Sequence, residues 1–464
     1  MTSILAPTWL KPAADQNELA KQLWPESAVR TEAGSVAVGG VSLNDLAAKH
    51  GTPLYVVDEK AVRSSAVSIH AAFTGSCKNA NTTGVVYYAT KALLTGAVVK
   101  WVLAEGLRVD VATLGELELA LAAGAPPEKI GLHGNNKSAA ELERAIGVGV
   151  GSIVIDSANE VDRVAAIAEA AGKQQAVRLR VNSGVHASTH EYLATAAEDQ
   201  KFGVTQSDVP LIVARIRAAK GLRFLGLHSH IGSQILGNSG FEEAAGRLLE
   251  LHAELLRDGA VPELNLGGGF GIPYVRADEP VDVPTQVSKL VETVAEICER
   301  LGIPIPALAI EPGRAIVGTA GLTLYQVGEI KPVPVGVNET RTYVSVDGGM
   351  SDNLRTSLYR ADYSAVLASR ASTGNPMLSR VVGKHCESGD IVVRDEYLPG
   401  DLHPGDLLAV PVTGAYCYSL SSNYNGMPRP AVVAVNEGDS TLIVRRETIA
   451  EVYARDTQLE RPLP

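Results

Sequence analysis

Lys91 directly follows the apolar run Val85-Val86-Tyr87-Tyr88-Ala89-Thr90 and directly precedes Ala92-Leu93-Leu94, a place where a strand stops and an amine is drawn half out of water. Desolvation disfavours an ammonium, so a lysine held there gains access to its neutral, nucleophilic form, the one that captures an aldehyde. Taken singly, an amine at a strand end is more often a solvated charge or an anion clamp. Two further motifs shift that balance. Gly267-Gly268-Gly269-Phe270-Gly271 follows Leu264-Asn265-Leu266, so a strand runs into a loop without Cβ atoms whose amides can face a phosphate. A tight turn is the plainer reading, and no Gly-Lys-Ser/Thr follows, so the phosphate need not belong to a nucleotide. Glu311-Pro312-Gly313-Arg314 leaves the apolar Ala307-Leu308-Ala309-Ile310, which sets a carboxylate at a buried strand end with a guanidinium three residues on. A lone Glu-x-x-Arg reads as a rim ion pair. Beside a phosphate loop and an aldehyde-binding lysine, the same carboxylate can keep a pyridine nitrogen protonated and make the ring an electron sink, which completes three parts of a pyridoxal phosphate site.

His230, in His228-Ser229-His230-Ile231-Gly232-Ser233-Gln234, offers a flat ring to lie against a cofactor face, and Ser233 offers a hydroxyl for phosphate. The His228/His230 spacing also suits zinc, because alternate strand residues share a face, but a third ligand of obvious type is missing nearby and metal is the lesser reading. His186 and His190 sit in the polar stretch 183–200, which reads as a long loop suited to a lid. Cys386-Glu387-Ser388-Gly389-Asp390 and Thr413-Gly414-Ala415-Tyr416-Cys417 place thiol, carboxylate and phenol groups in turn-like sequence. A lone cysteine is usually a small buried residue, whereas a thiol near a cationic site can move a proton.

The elements that must position these groups follow from periodicity. Short β-type runs at 85–90, 107–113, 129–134, 152–157, 176–182, 223–231, 261–269 and 307–313 alternate with Ala/Leu/Glu-rich stretches at 115–123, 139–146, 160–171 and 241–258, whose apolar residues recur at three- and four-residue spacing. Eight βα units predict an α/β fold with a closed (β/α)8 barrel, over an open doubly wound sheet as the alternative. On a barrel, Lys91, Asp110, His228, His230, the triple glycine and Glu311 all fall at the carboxyl ends of strands and face one mouth. After Gly318 the texture turns to β-rich runs at 322–331, 342–346, 391–394, 407–412, 431–435 and 441–444, punctuated by Gly, Pro and Asp. Runs at 36–41 and 54–57 are expected to join them. The expected domains are a barrel over 60–318 and a β-rich domain from 1–59 and 319–464.

With 464 residues, 45% of them hydrophobic, the chain has enough material for two cores. A net charge of −11 without a basic cluster argues against nucleic acid and anionic membranes as partners. The first residues show no basic region followed by an apolar core, and no apolar run approaches the roughly 20 residues that span a bilayer. Cys77, Cys298, Cys386 and Cys417 contain no CxxC pair and are too sparse for a disulfide framework, so a reducing, cytoplasmic location is expected.

Tyr87-Tyr88-Ala89-Thr90-Lys91, Leu132-His133-Gly134-Asn135-Asn136-Lys137, 228–234, 266–271, 311–314, Cys386-Glu387-Ser388 and Gly414-Ala415-Tyr416 occur in an order that resembles the diaminopimelate decarboxylases, pyridoxal phosphate enzymes of the alanine-racemase-like barrel class. The resemblance runs from about residue 35 to about residue 450. It implies a Schiff base between Lys91 and the cofactor, Glu311 against the pyridine nitrogen, and His230 stacked on the ring. It further implies that Ser233, Gly267, Gly268, Gly269 and Tyr416 hold the phosphate region, with Asp110, Gly313 and Arg314 also at the cofactor. For the substrate it implies Arg314, Arg355, Tyr359 and Tyr416, with the distal carboxylate on Arg314, Arg355 and Tyr359 and the distal ammonium on Glu387. Cys386 is implied as the proton donor; it and Glu387 are expected to arrive from a neighbouring subunit, giving a homodimer with shared sites. The implied reaction is release of carbon dioxide from meso-diaminopimelate to give L-lysine.

Three rivals are weighed on the residues. A decarboxylase of ornithine or arginine would need carboxylates for a distal cation and no paired guanidinium, whereas Arg314 and Arg355 with Glu387 suit a substrate ending in both charges. A cofactor-binding barrel without turnover would need no proton donor at Cys386. A racemase fits the Cys386-Glu387 pair and the Arg355 segment less well.

Overall fold

The computed structural model describes residues 4–185, 201–336 and 339–459; the expected lid with His186 and His190 lies outside the described residues. The chain folds as two compact units, one of Arg63–Ile272 with Val281–Ile316, the other of Met1–Val62, Pro273–Pro280 and Val317–Pro464.

In the first unit eight strands, Gly84–Ala89, Arg108–Val111, Ile130–Leu132, Ser152–Ile155, Gln175–Arg180, Leu222–His228, Glu263–Asn265 and Ala307–Ile310, pair in parallel, each with the next. The eighth returns to the first through Leu308 with Gly84, Ala309 with Val85 and Ile310 with Val86, so the barrel is closed and the open-sheet alternative is set aside. Strands covered on both faces read as apolar runs without alternation, which is what Ser152–Ile155 and Gly84–Ala89 show. The helices between them bury one stripe. Val283–Leu301 buries Val287, Leu290, Val291, Val294, Ile297 and Cys298, a three- and four-residue repeat in which each large side chain contributes about 1.5–3 kcal/mol. Ala139–Val148 starts at a reciprocal cap, where Ser138 Oγ accepts from Glu141 N–H and the Glu141 carboxylate accepts from Ser138 N–H.

Lys137, the last residue of the Asn-Asn-Lys motif, is 2% exposed, and its Nζ donates to the carbonyls of Gly134 and Val154, both at 2.6 Å, and to Glu160 at 3.0 Å. It fastens the exit loop of the third strand to the fourth strand. Its partnered burial leaves it no nucleophilic role.

His252, in the helix Ser239–Leu255, is 1% exposed, and burial pushes its imidazole down to about 4 from 6.5. The unfolded chain protonates it below about pH 6.5 and the folded chain only near pH 4, so in that window the unfolded state binds more protons. Stability is therefore full above the window and falls as pH drops through it, by on the order of 2–3 kcal/mol from this residue. Urea unfolding at pH 7, 6, 5 and 4.5 should show the decline, and His252→Leu should flatten it; equal slopes for the two proteins would refute the assignment.

The second unit is built on a nine-stranded sheet. Its main path runs Ile391–Pro399, Pro376–Val382, Thr340–Val346, Gly321–Pro334, Leu54–Asp58, Ala431–Asn436, Asp439–Val444, with Leu407–Pro411 paired to Gly321–Pro334 and Val366–Leu367 paired to Leu407–Pro411. Leu54–Asp58 sits at the centre, antiparallel to Gly321–Pro334 and parallel to Ala431–Asn436, so the amino-terminal run at 54–57 joins as expected. The run at 36–41 does not join that sheet. Val36–Val38 and Val41–Ser42 instead make a three-stranded sheet with Val29–Arg30, because Gly39 and Gly40, at φ 59° and 80°, turn the chain back after three residues.

Candidate active site

The barrel strands end earlier than their apolar runs, and the residues beyond the last ladder pair line the mouth. Lys91 lies in the 3-10 turn Thr90–Ala92, where Thr90 Oγ1 donates to Asp110 O at 2.6 Å and fixes the turn against the second strand. Its side chain is exposed, so the half-desolvated amine expected at this strand end is not found in the free chain. Its charge acts on Asp110 and on His230, which puts the amine at the same mouth as both.

Glu311, one residue past the eighth strand and 8% exposed, is the centre of that mouth. Its carboxylate accepts from Asn265 Nδ2 at 2.7 Å, and His228 Nε2 lies 3.0 and 3.2 Å from its two oxygens. His133 Nε2 stands 3.5 Å from Glu311 and 3.2 Å from Asp110, and the His133 and His228 rings meet edge to face at 5.1 Å. Burial opposes ionisation of Glu311, but His228 and His133 outweigh it and hold the carboxyl well below its usual range. Burial pushes both imidazoles down to about 4, so at neutral pH they act as neutral donors and Glu311 carries the charge. Asp110 goes the other way: burial and then the neighbouring Glu311 charge raise it well above its usual value. Two adjacent carboxyls whose environments drive their pKa values apart, Glu311 downward and Asp110 upward, are a pattern of functional sites. Gly131 is required here, since a Cβ would come within 2.8 Å of Asp110 Oδ1.

The His228/His230 pair does not act together. His228 faces Glu311, whereas His230 Nδ1 accepts the Gly268 N–H at 3.2 Å, which leaves the His230 proton on Nε2. Among the described residues, the ligand-type atoms within 4.8 Å of one another are those of His133, His228 and Glu311, the same groups that hold the Glu311 charge.

The triple glycine has a second reason to exist. A Cβ at Gly267, Gly268 or Gly269 would come within 2.4, 2.1 and 2.4 Å of the carbonyl oxygens of Ser229, Glu311 and Gly232, so neighbouring backbone demands all three. Asn265 Oδ1 already accepts the Gly267 N–H at 2.9 Å, and His230 takes that of Gly268. Those two amides order the loop. Ser233 Oγ accepts from Arg314 Nη2 at 2.6 Å, which leaves its own O–H to donate. Gly313 packs against Ala89, where a Cβ would meet its carbonyl oxygen at 2.9 Å.

The other unit holds a second constellation. Arg355 opens the short helix Arg355–Tyr359 and is 3% exposed, with its guanidinium 4.8 Å from the ring centre of Tyr274 and 5.7 Å from those of Tyr363 and Tyr416. Tyr363 Oη accepts from Arg355 Nη1, so the fork is aimed by phenols and stays charged. Tyr359 is half-buried one helical turn on. Tyr416 is held at φ 69°, in a turn where Gly414 and Gly321 pack so closely that a Cβ on Gly321 would lie 2.4 Å from Gly414 Cα. Cys386 is exposed, unlike buried Cys77, Cys298 and Cys417, and none of the four is joined in a disulfide. Glu387, next to it, is exposed and accepts from Tyr424 Oη at 2.5 Å. Sequence reasoning assigned no role to His133, Asn265, Tyr274, Tyr363 or Tyr424. Closure of the barrel joins His133 and Asn265 to Glu311, while Tyr274 and Tyr363 meet at Arg355 and Tyr424 reaches Glu387 from 37 residues on.

The family of the pyridoxal binding domain of pyridoxal-dependent decarboxylases matches residues 67–318. The chain is 48% identical over 448 residues to a diaminopimelate decarboxylase of Mycobacterium bovis, covering 95% of this chain and 99% of that protein. It is 43% identical over 428 residues to one from Bacillus subtilis, covering 91% and 95%. Among solved structures, the diaminopimelate decarboxylase of M. jannaschii in complex with L-lysine superimposes with a TM-score of 0.87 at 29% identity, covering 95% of this chain and 99% of that one. No described helix is long and apolar enough to cross a membrane.

Proposed function

The chain belongs to the diaminopimelate decarboxylases, and from that premise we propose how its residues divide the work. It is a pyridoxal phosphate-dependent decarboxylase that converts meso-2,6-diaminopimelate to L-lysine and carbon dioxide, the last step of lysine biosynthesis. The observation that carries the proposal is Glu311: a buried carboxylate kept anionic at a barrel mouth by Asn265 and two neutral histidines suits a partner that presents a protonated ring nitrogen.

Bound pyridoxal phosphate supplies a conjugated ring that accepts the electron pair left behind by the departing carboxyl. Glu311 holds the proton on the ring nitrogen. Lys91 Nζ would hold the cofactor through its aldehyde. His230, fixed by Gly268, would lie against the ring; Ser233 with Arg314, the 267–269 loop and Tyr416 would hold the phosphate side, and Asp110, its ionisation disfavoured by burial and by Glu311, sits beside that carboxylate. Arg314, Arg355 and Tyr359 receive the distal carboxylate and Glu387 the distal ammonium. Cys386 Sγ gives its proton to the carbon that has lost its carboxyl.

The exposure of Cys386 and Glu387 supports delivery of both to the site of a second copy, in a homodimer with shared sites. A thiol with that duty must stay reduced, which supports a cytoplasmic location. The domain division proposed is the barrel over 60–318 and the β-rich domain over 1–59 and 319–464.

Carbon dioxide release from meso-diaminopimelate, ornithine and arginine tests the substrate assignment. Guanidiniums built to bind a distal carboxylate reject a substrate lacking one, so kcat/KM for meso-diaminopimelate should exceed that for either competitor by about 10^4-fold. Faster turnover of ornithine would overturn the assignment.

A further inference from the structure

We propose that the turn Tyr424–Gly426 is a positioning device for the proton donor and for substrate recognition, with Tyr424 aiming Glu387 and Asn425 aiming Cys386. The inference rests on the roles given above to Cys386 and Glu387, and it assigns the groups that hold them.

Cys386 and Glu387 are exposed side chains on a turn that enters no strand; Asp390 N–H closes that turn on Glu387 O at 3.1 Å, which fixes backbone but not the side-chain rotamers. Their anchors come from about 40 residues on. Tyr424 Oη donates to Glu387 Oε1 at 2.5 Å, a phenol-to-carboxylate bond that removes the rotamer freedom of an otherwise unrestrained side chain. Asn425 Oδ1 accepts twice, from Cys386 N–H at 3.3 Å and from His385 Nδ1 at 3.1 Å. Because a backbone N–H can only donate, the amide orientation of Asn425 is settled by Cys386 itself. The His385 tautomer follows: Nδ1 carries the proton and Nε2, 2.8 Å from Ser351 Oγ, accepts. His385 is buried, and its own N–H is bonded to Asp390 at 2.7 Å, so the chain Ser351, His385, Asn425, Cys386 runs from the interior out to the backbone N–H of the residue that carries the thiol.

Asn425 also sits at φ 50°, ψ 27°, the left-handed region that Asn, Asp and Gly tolerate and other residues adopt at a cost of about 1 kcal/mol or more. This backbone requirement separates geometry from acceptor chemistry. Asn425→Gly keeps the turn and removes the acceptor. Asn425→Asp keeps both.

The test compares holoenzymes of Tyr424→Phe, Asn425→Gly, Asn425→Asp and Glu387→Gln by kcat and KM for meso-diaminopimelate, with a thermal melt to confirm folding. Tyr424→Phe should raise KM about tenfold and leave kcat within about twofold, and it should add nothing in the Glu387→Gln background. Asn425→Gly should lower kcat about 10- to 100-fold with KM near the parent value, and Asn425→Asp should restore most of the loss. A rise in KM for Glu387→Gln without one for Tyr424→Phe would overturn the role of Tyr424 and leave that of Glu387 standing. No change in KM for Glu387→Gln itself would remove the underlying reading first. Equal losses in the Gly and Asp variants would show that the acceptor of Asn425 positions nothing.

Discussion

Lys91→Ala is expected to abolish turnover, by about 10^4-fold or more, and to remove the borohydride-sensitive visible absorbance of the holoenzyme. The other lysine placed at a strand exit above, Lys137, cannot take over. Lys137, the lysine on the exit of the third strand, has its Nζ committed to two carbonyls and to Glu160, and it is 2% exposed. Lys91, by contrast, stands exposed on a turn pinned by the Thr90 to Asp110 bond, reachable by a carbonyl and rigidly based. Folding should be untouched, since an exposed side chain is being shortened and the turn is held by Thr90. Persistence of the absorbance band in the alanine variant would assign the covalent link to a different residue.

The same variant tests the shared site. If Cys386 serves the mouth of a second copy, Lys91→Ala and Cys386→Ala carry their defects on different halves of one site. Random mixing after subunit exchange then gives half heterodimers, each with one intact site, and recovers about a quarter of wild-type activity. Recovery no greater than the sum of the separate variants would place Lys91 and Cys386 of one chain in one site.

How far the sequence carried is clearest strand by strand. The eight barrel strands were legible because strands covered on both faces need unbroken apolar runs, and 85–90, 152–157 and 307–313 have them. The seventh and eighth strands stop short of their runs, at Asn265 and Ile310, because the residues past the ladder, the glycines and Glu311, belong to the mouth. Pro376–Val382 escaped notice because Pro-Met-Leu-Ser-Arg-Val-Val lacks alternation; it is a strand because Thr340–Val346 and Ile391–Pro399 flank it. The run at 36–41 falls in the β-rich unit but in a small sheet of its own, because local pattern specifies a strand but not its partner. Glu311 could be found from its place after an apolar run, but its ionisation could not. That depends on Asn265, His228 and His133, which closure of the barrel brings in from the seventh, sixth and third strands. The glycine triplet shows the opposite error: read as a phosphate cradle, it is first of all what the carbonyls of Ser229, Glu311 and Gly232 require. Two demands met by one motif cannot be separated without coordinates.

Glu311→Gln should lower kcat about 10^3-fold while the enzyme still binds cofactor and substrate. The amide is nearly isosteric and can still accept from Asn265 at its oxygen, so the fold of the mouth survives; what disappears is the negative charge that keeps a proton on the ring nitrogen. The wild-type site protects that charge strongly. Glu311 is held well below the usual carboxylate range and its two histidines titrate only near pH 4, so the kcat profile should show no acid limb from this cluster between pH 5 and 8. In the glutamine variant the like-charge repulsion on Asp110 is gone, which lowers the Asp110 pKa and lets it ionise more readily, 3.2 Å from His133 Nε2. Asp110 then becomes a partial substitute for the lost anion. Adding Asp110→Asn to Glu311→Gln should therefore cost a further several-fold in kcat, whereas Asp110→Asn alone should cost less, because burial and the Glu311 charge already disfavour ionisation of that carboxyl. A glutamine variant within about threefold of wild-type kcat would mean that the ring nitrogen needs no anion here, and the electrostatics of Asn265, His228 and His133 would have to serve some other end.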